Sequence, residues 1–343
     1  MNYFCTYFDI NYLAYGLTLY RSLVRQAAPF RLWILCFDVQ VFKILEDLCL
    51  DGVVPISLED FEKGDDELLH AKSNRTRMEY YFTCTSSLLL YIWRKEPAAE
   101  VISYIDSDLF FFSDPSPIYR ELGDNSILIV EHRFPSHLKK WEIYGIYNVG
   151  IIVFRRNKEG LECLRWWRSR CLEWCYDRVE EGRFADQKYL DDWPTRFKKV
   201  KVLKHKGAGL APWNVENDLL SFKNGKLSVD SQPLIFYHFH GLKQVGRWLY
   251  DPRLQRYGLS AGKILKWKIY GSYFKELKRM VEWLKSAGVM ITPMESIRGI
   301  RAEPAVKYGL FDTILEFLEV KFKLISKLYR GELWLVIAGK VFR

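Results

Sequence analysis

Strand-like and helix-like patterns alternate along the first part of the chain. Residues 1–8 are rich in aromatic and other strand-forming residues, and residues 13–26 repeat apolar side chains at the spacing of one helical face. The same succession returns with strands at 31–37 and 52–57 around a helix at 41–50. Short strands that alternate with helices predict a mixed, mostly parallel sheet flanked by helices, the arrangement of Rossmann-like α/β folds.

The alternation continues into the middle of the chain and changes near its end. Further elements are predicted in the same way, with helices at 80–94, 161–178 and 182–190 and strands at 101–105, 127–131, 150–154 and 233–239. Beyond residue 247 the pattern becomes helical, with candidate helices at 260–287 and 305–328. We therefore expect an α/β domain over residues 1–245 and a basic helical extension over residues 246–343.

One predicted strand carries two carboxylates at its end. The apolar residues 101–105 are followed by Asp106 and, after Ser107, by Asp108. Side chains alternate along a strand, so the two aspartates point to one side. Two such oxygen ligands suit Mg²⁺ or Mn²⁺ with coordination positions left for substrate phosphate oxygens. The alternative is that both aspartates are turn residues that end a buried strand.

The composition and the cysteines indicate a globular protein of a reducing compartment. The chain is 49% hydrophobic and 27% charged, which is ordinary for a globular protein. Its seven cysteines lack a Cys-x-x-Cys pair and mostly stand among apolar residues, which indicates reduced core thiols and no zinc site. The N-terminus shows no signal-peptide pattern, and no apolar run approaches the roughly 18 residues of a membrane span. We therefore expect a cytoplasmic protein.

The positive charge is concentrated in the C-terminal part. Residues 241–343 hold 20 lysines and arginines against 9 acidic residues, although the net charge of the whole chain is only +9. Trp267, Tyr270, Trp283 and Trp334 stand among these charges. Such a segment suits an anionic lipid surface, and we hypothesise that it rests on the inner face of the cytoplasmic membrane. A solvated basic face explains the charge as well, and no recognised module supports nucleic-acid binding.

Five ordered blocks of residues 1–245 resemble the GT-A glycosyltransferases of glycosyltransferase family 8, the family of glycogenin and the lipopolysaccharide galactosyltransferases. In the first block, the resemblance implies that Asp9 and Asn11 bind the uridine base, with Tyr12 beside it. The alternative for these residues is N-capping of the following helix. The second block offers Arg75 or Arg77 to the diphosphate, although an exposed salt bridge explains either arginine.

The third and fourth blocks supply the candidate catalytic residues. Asp106 and Asp108 match the Asp-x-Asp of the family, which implies that both bind the metal and that Asp106 also reaches the ribose. The fourth block joins Asn148, in an Asn-x-Gly sequence, to Asp186 and Gln187. The resemblance implies that Asp186 and Asn148 contact the donor sugar and that Gln187 lies near the anomeric carbon.

The fifth block resembles the His-x-x-Gly-x-x-Lys of the family. The resemblance implies that His238 is the third metal ligand, with His240 as the alternative. It also implies that Gly241 lets the backbone approach the diphosphate and that Lys243 neutralises the charge of the diphosphate. Lys243 follows the glycine one residue earlier than usual, and the Pro-Trp that often follows the lysine is absent. The loop 207–214 is a weaker candidate for a contact with donor or acceptor.

The resemblance implies a metal-dependent transfer of sugar from a nucleotide-diphosphate sugar, with UDP favoured, to a glycan or lipid-linked acceptor. It also implies a place in bacterial surface polysaccharide synthesis and retention of configuration at the anomeric carbon. One alternative is a haloacid-dehalogenase-type phosphohydrolase, which also carries Asp-x-Asp after an apolar strand. It fits poorly, because Leu109 and Phe110 follow the aspartates well inside the chain. A second alternative is a non-catalytic glycan-binding or assembly protein on a transferase scaffold.

Overall fold

The computed structural model describes residues 1–246, 248–289, 324–328, 330–337 and 339–342. The chain forms two compact units, Met1–His238 and Phe239–Arg343. Of the helix predicted at 305–328, only the last five residues belong to the described part of the chain.

The first unit is an α/β domain built on a seven-stranded sheet. Its strands are β1 (Asn2–Phe8), β2 (Phe30–Cys36), β3 (Val53–Ser57), β4 (Val101–Ile105), β5 (Leu109–Phe111), β6 (Ile127–Glu131), β7 (Tyr147–Arg155), β8 (Val200–Val202), β9 (Leu220–Lys223), β10 (Lys226–Val229), β11 (Gln232–Pro233) and β12 (Phe236–His238). Its helices are α1 (Leu13–Gln26), α2 (Val39–Leu48), α3 (Leu58–Glu62), α4 (Asp66–Ser73), α5 (Arg77–Lys95), α6 (Ser116–Leu122), α7 (Lys158–Glu173) and α8 (Trp193–Arg196). Single 3₁₀ segments span Ile10–Tyr12, Ser136–Tyr144 and Lys188–Asp192.

The topology of the sheet places several polar side chains at one edge. The strand order is β3-β2-β1-β4-β7-β6-β8. β1, β2, β3 and β4 run parallel, whereas β7 runs antiparallel to β4 and β6. The carboxyl ends of β1, β2 and β4 therefore lie at the same edge of the sheet. Asp9, Asp38 and Asp106 each come shortly after one of these strand ends in the sequence. Ligands of open α/β sheets bind at this edge.

Two smaller sheets complete the first unit. β9, β10 and β11 form an antiparallel sheet, and β5 pairs antiparallel with β12. Buried aromatic side chains fill the core beneath the main sheet; the rings of Trp167 and Trp193 lie 5.3 Å apart and that of Phe154 lies 5.6 Å from Trp193. Large rings of this kind dominate the apolar area that a core buries.

Two short helices, α3 and α4, lie between β3 and α5, where the hydrophobic pattern predicts no element. Both helices begin at a side-chain cap: Ser57 accepts a hydrogen bond from Asp60 N, and Asp65 accepts one from Leu68 N. Caps of this kind satisfy amide groups that a first helical turn leaves without partners. Short capped helices carry too few apolar residues for the hydrophobic pattern to reveal them.

The second unit contains strands as well as helices, so the extension is mixed rather than helical as predicted. A four-stranded antiparallel sheet joins β13 (Lys243–Gly246), β14 (Leu249–Asp251), β15 (Trp334–Ile337) and β16 (Lys340–Val341) in that order. A π-helical segment, Leu265–Tyr270, leads into α9, Gly271–Ser286. The pairing of Leu249 with Leu335 joins segments far apart in sequence, which a local pattern does not reveal.

Two of the four aromatic residues proposed to face a membrane are buried instead. Tyr270 is fully buried and Trp334 is 2% exposed, and their rings pack edge to face at 4.8 Å. Burial in the unit's own core removes them from any lipid surface, whereas Trp267 is 46% exposed. Among the described helices, none combines the length and the apolarity needed to cross a bilayer.

The cysteines fit the expectation of core thiols. Six of the seven are buried and free, and only Cys49 is exposed. Burial raises the pKa of Cys36 to about 12, as expected for a thiol that serves packing rather than chemistry.

Candidate active site

One strand pairing brings His238 to the two aspartates. After β4 the chain turns at Asp106, whose amide donates to Gly150 O at 2.9 Å, and Leu109 N closes the turn onto Asp106 O at 3.1 Å. β5 then pairs with β12, which sets His238 opposite Leu109. His238 Nε2 consequently lies 3.1 Å from Asp108 Oδ1 and 3.6 Å from Asp106 Oδ2. Two carboxylates and an imidazole thus converge at the carboxyl edge of the sheet.

Gly150 makes room for this cluster. A Cβ at this position would lie 2.8 Å from His238 Nδ1 and 2.4 Å from Asn148 Oδ1, closer than real Cβ contacts. The amide of Gly150 also donates to Asn148 Oδ1 at 2.8 Å. The glycine of the Asn-x-Gly sequence is therefore required by close packing rather than by an unusual backbone angle.

The cluster is electrostatically crowded. Burial raises the pKa of Asp106, His238 lowers it, the charge of Asp108 raises it and the hydroxyl of Tyr104 lowers it, and together these effects give a pKa of about 6. Burial by itself would lower the pKa of His238, but the charge and hydrogen bond of Asp108, together with Asp106, raise it overall. A divalent cation would relieve the repulsion between the carboxylates, and carboxylate oxygens with one imidazole are ligands that Mn²⁺ and Mg²⁺ accept.

Asp186 is a further carboxylate at the same site, and it is more deeply buried than Asp106 and Asp108. It is 4% exposed, and no group in the described part of the chain donates a hydrogen bond to its Oδ2. Burial and, less strongly, the charge of Asp106 raise the pKa of Asp186 to about 7, although the Thr85 hydroxyl opposes the rise. Trp167 Nε1 donates to the carbonyl of Asp186 at 2.8 Å and fixes the backbone. A buried acceptor of this kind is costly unless a ligand donates to it.

The buried Tyr104 and the partly buried Tyr7 underlie both carboxylates, and sequence reasoning missed them. Tyr104 donates its hydroxyl to Asp106 Oδ1 at 2.7 Å. The ring of Tyr7 lies 5.5 Å from that of Tyr104, and the Tyr7 hydroxyl lies 3.3 Å from Thr85 Oγ1, which hydrogen-bonds Asp186. Inward-facing aromatic residues of a strand look like ordinary core positions in a sequence, so no local pattern distinguishes these two.

The structure brings Asn148 and Gln187 together. Asn148 Nδ2 donates to Gln187 Oε1 at 3.2 Å, and Gln187 Nε2 donates to Tyr144 O at 3.0 Å. Both ends of the Gln187 amide are therefore held by protein groups. Since Asp186 precedes Gln187 directly, the fourth block forms one contiguous part of the site.

His132 is a further residue that the sequence analysis did not select. It is 5% exposed and lies just after β6. Its Nδ1 lies 3.2 Å from Ile146 O, and its Nε2 lies 3.3 Å from Asn148 Nδ2. The carbonyl requires a proton on Nδ1, which leaves Nε2 as the acceptor for the Asn148 amide. The signal available in the sequence was a histidine directly after a predicted strand.

The loop 207–214 reaches the site through Trp213. The Trp213 ring lies 5.1 Å from that of His132 and 5.4 Å from that of His238, edge to face in both cases. Asn214 makes the loop rigid, because its side chain donates to His132 O and Gly209 O and accepts from Ala211 N. The loop thus forms one wall around the imidazole of His238.

Asp9 collects several donors at the carboxyl end of β1. Its Oδ1 accepts from Asn11 N at 3.0 Å, which caps the 3₁₀ segment, and its Oδ2 accepts from Asn11 Nδ2 at 3.2 Å. Arg77 lies 3.2 Å from the same oxygen and the Tyr81 hydroxyl donates to it at 3.3 Å. Tyr81 stacks on Phe37 at 3.7 Å. The capping alternative is therefore realised, in a setting that also presents aromatic and charged groups.

The remaining residues of the first two blocks have identifiable contacts. Tyr12 ends the 3₁₀ segment, and its ring lies 5.3 Å from that of Tyr15. Arg75 lies over the ring of Tyr176, 3.9 Å from its centroid, and donates to the Tyr176 hydroxyl and to Leu172 O. Arg75 therefore links the segment before α5 to the end of α7, while the exposed Arg77 forms an ion pair with the buried Asp9. These contacts give no support to a diphosphate role for either arginine.

Three predicted residues belong to the second unit. His240 is exposed, and Gly241 has a φ of 72°, a backbone conformation that favours glycine. Lys243 pairs with Asp251 in the β13–β14 ladder. Partial burial and the charge of Arg253 lower the pKa of Lys243, although Asp251 opposes this.

The fold has a known counterpart. The crystal structure of the galactosyltransferase LgtC in complex with donor and acceptor sugar analogues matches 87% of this chain and 99% of its own, with a TM-score of 0.51 and 16% sequence identity. At this identity the likeness shows the fold alone, and it confirms the predicted GT-A fold of glycosyltransferases. No family model matches the sequence.

Within that fold, sequence similarity places the chain in a family. The uncharacterized protein YfnD of Bacillus subtilis strain 168 is 35% identical over 269 residues, which cover 78% of this chain and 85% of YfnD. The uncharacterized protein YfnF of the same organism is 34% identical over 252 residues, 71% of this chain and 82% of YfnF. The chain belongs to the family of YfnD and YfnF.

Proposed function

We propose that this protein is a metal-dependent glycosyltransferase. It would transfer a sugar from a nucleotide-diphosphate sugar, with UDP-sugars as the first candidates, to a hydroxyl of a glycan or lipid-linked acceptor in bacterial surface polysaccharide synthesis. The observation that carries the proposal is the convergence of Asp106, Asp108 and His238 at the ligand-binding edge of a GT-A sheet. Retention at the anomeric carbon rests on the family resemblance.

Asp106, Asp108 and His238 would hold the cation. His240 is a further candidate, because only one residue separates it from His238 in the chain. When bound, Mn²⁺ or Mg²⁺ acts as a Lewis acid that offsets the negative charge of a departing diphosphate. Tyr104 holds one oxygen of Asp106 by its hydroxyl and so fixes the direction of the carboxylate.

The donor sugar would lie against Asp186, Asn148 and Gln187. The buried Asp186 Oδ2 offers a hydrogen-bond acceptor that a sugar hydroxyl can satisfy. Gln187 is held at both ends of its amide, so it acts as a fixed polar group beside the sugar rather than as a nucleophile. His132 keeps Asn148 in register with Gln187 through its Nε2.

The nucleotide would lie across the ends of β1 and β2. Asp9, Asn11 and Tyr12 are proposed to contact the base, with Arg77 and Tyr81 as neighbours that fix the Asp9 carboxylate. The resemblance adds Gly241 and Lys243 as groups that approach the diphosphate.

A thermal-shift panel tests the donor site. UDP-, GDP-, ADP- and dTDP-sugars are compared with and without Mn²⁺ on the wild type, on Asp108→Ala and on Asp124→Ala, a control that removes an exposed carboxylate. Ligand at about 100 times its Kd stabilises by about 2.7 kcal/mol, so a shift is measurable. We expect a Mn²⁺-dependent shift with one nucleotide class in the wild type and the control, and none in Asp108→Ala.

Donor hydrolysis separates the enzyme from its alternatives. A transferase releases the nucleotide diphosphate slowly from its donor in the presence of Mn²⁺, whereas a glycan-binding protein on the same scaffold binds without turnover. The phosphohydrolase alternative has lost its basis, since the chain shares the fold of a glycosyltransferase over 87% of its length.

A further inference from the structure

A small apolar surface of the first unit adjoins Gln187. The 3₁₀ segment Ser136–Tyr144 ends in Ile143 and Tyr144, which are 51% and 39% exposed. The backbone carbonyl of Tyr144 accepts a hydrogen bond from Gln187 Nε2 at 3.0 Å, so this surface is continuous with the proposed donor-sugar site. Exposed apolar side chains that adjoin one another and are rimmed by polar groups mark ligand-binding surfaces.

Two further aromatic rings pack against Tyr144. The Tyr144 ring meets that of Phe184 edge to face at 4.8 Å, and the Trp141 ring lies 6.1 Å away in a similar orientation. Phe184 and Trp141 are partly exposed themselves. We call the surface formed by Trp141, Ile143, Tyr144 and Phe184 the aromatic platform. Rigid aromatic side chains offer contact area at a low cost in conformational entropy, which favours binding.

Hydrogen bonds fix the platform relative to Gln187. Besides the bond from Gln187 to the Tyr144 carbonyl, Lys188 Nζ donates to Glu142 O at 2.7 Å. Ile146 N donates to a carboxylate oxygen of Asp191, also at 2.7 Å. These bonds join the segment that carries the platform to the segment that follows Asp186. The platform therefore keeps a defined position beside the proposed donor sugar.

A pyranose ring matches such a surface. Its faces carry C–H groups and its rim carries hydroxyls, so it buries apolar area against an aromatic ring while the rim stays hydrated. The hydroxyl of Tyr144 can both donate a hydrogen bond to the rim and accept one from it. The platform thus offers an apolar contact with a polar edge, as a sugar requires.

Two other occupants fit the platform poorly. Lys139 and Lys140 are exposed on the same segment, and Lys139 pairs with Glu142, so a hydrocarbon chain would displace water from charged groups. Four residues are also too few for a stable dimer of this chain, which uses roughly 20–30 residues on each side. A small polar ligand with an apolar face satisfies both conditions.

We propose that the aromatic platform binds a sugar ring of the acceptor glycan. The inference rests on the proposed function, because it takes Gln187 as the polar group beside the donor sugar. A sugar ring stacked on Tyr144 would lie next to the sugar that is to be transferred. The platform binds and orients the acceptor and takes no part in the formation of the new bond.

Binding of the full chain to an array of bacterial polysaccharide fragments tests the platform. The array is probed in EDTA and again with Mn²⁺ and UDP. Tyr144→Ala removes the ring but keeps the backbone carbonyl that holds Gln187, whereas Tyr144→Phe keeps the ring. The matched control is Trp267→Ala, which removes an aromatic side chain that is 46% exposed in the second unit. Thermal melts of each variant establish that it is folded.

We expect the wild type to bind at least one class of glycan in one of the two conditions. Tyr144→Ala should bind the same glycans at least about tenfold more weakly, since truncation of an aromatic contact residue commonly has this effect. Tyr144→Phe should stay within about threefold of the wild type, and Trp267→Ala should match it. The proposal is overturned by a wild type that binds no glycan, by unchanged binding in Tyr144→Ala, or by an equal loss in Tyr144→Phe or in the control.

Failure of the platform and failure of the donor site are distinguishable. The thermal shift of the wild type with UDP-sugars and Mn²⁺ reports the donor site by itself. A donor shift combined with unchanged glycan binding in Tyr144→Ala would remove the platform and leave the transferase. Glycan binding that depends on Tyr144 without a donor shift would keep the platform and favour the glycan-binding alternative. Dimerisation or sedimentation with phosphatidylcholine vesicles that Tyr144→Ala abolishes would assign the surface to another occupant and overturn the proposal.

Discussion

His238 faces Asp108 across the pairing of β12 with β5, with Nε2 3.1 Å from Oδ1. The contact is enclosed, because His238 is 3% exposed and the edge of the Trp213 ring lies beside it. Interacting titratable groups of this kind are characteristic of functional sites, which makes the cluster the first place to test.

Removal of the imidazole should weaken cation binding. We expect His238→Ala to bind Mn²⁺ about tenfold or more weakly than the wild type, since one ligand is lost from a small set. Isothermal titration with MnCl₂ measures this, and His70→Ala, which removes an exposed histidine, serves as the control. Unchanged affinity in His238→Ala together with a loss in His240→Ala would transfer the ligand role to His240.

Gly150→Ala should damage the same site by steric means alone. The added Cβ meets His238 Nδ1 at 2.8 Å, so the imidazole must move or the strand must shift. We expect a loss of about 1–3 kcal/mol in unfolding free energy and a weaker response to Mn²⁺. Gly262→Ala is the matched control, because its Cβ would enter open space. Equal Mn²⁺ binding in both variants would show that His238 has freedom to move.

The buried carboxyl of Asp186 should make the metal-free protein less stable as pH rises. Its folded-state pKa of about 7 lies above the unfolded value of about 3.9, so its stabilising contribution is complete below about pH 4 and is lost as pH rises through 7. In EDTA, Asp186→Asn should therefore melt above the wild type at pH 8 by about 2–4 °C or more, with the difference shrinking or reversing near pH 5. Parallel melting curves at all pH values would refute the shift.

Protonation of Asp106 should compete with the cation. Since burial and the charge of Asp108 raise the pKa of Asp106 to about 6, a proton occupies this carboxylate below that pH and must leave before a cation binds. We expect the affinity for Mn²⁺ to fall by up to about tenfold for each pH unit below 6. Titrations at pH 5, 6 and 7 measure the slope, and an affinity independent of pH over this range would contradict the assignment of Asp106 as a ligand.

His132 should affect turnover more than donor affinity. Its loss removes the imidazole that accepts from the Asn148 amide, although that amide keeps its bond to Gln187 and the Ile146 carbonyl keeps its bond from the backbone amide of residue 132. Asn148, and Gln187 through it, are then less firmly oriented. We expect His132→Leu to lower donor hydrolysis about tenfold or more while the Mn²⁺-dependent thermal shift with donor persists. His132→Gln, which retains a donor and an acceptor, should recover part of the rate. A loss of donor binding in His132→Leu would instead indicate a general collapse of the site.

The sequence was sufficient for the parts of the fold that local periodicity controls. The alternation of apolar strands with helices predicted the parallel half of the sheet, and Asp9 and Asp106 were correctly placed after strands. Because the carboxyl ends of parallel strands share one edge, the candidate site could be assigned to this edge of the sheet from the sequence. The GT-A fold itself followed from the order of five short motifs.

Non-local contacts account for what was missed. The pairing of β5 with β12 brings His238 beside Asp108, yet both strands are only three residues long. His132, Tyr104 and Tyr81 act through contacts with other strands or helices, so their own neighbours in sequence carry no sign of them. Arg75 is a different case: its guanidinium lies over the ring of Tyr176, and its diphosphate role stays a prediction.

The order of synthesis determines when the cluster of Asp106, Asp108 and His238 can form. The aspartates emerge early, but the histidine lies on β12, the last strand of the first unit, so any nascent chain that lacks β12 presents an incomplete coordination sphere. High-affinity binding of a cation by these three side chains would therefore report that synthesis and folding of the first unit have both finished. A stalled or truncated product that lacks β12 would not bind manganese with high affinity through these side chains.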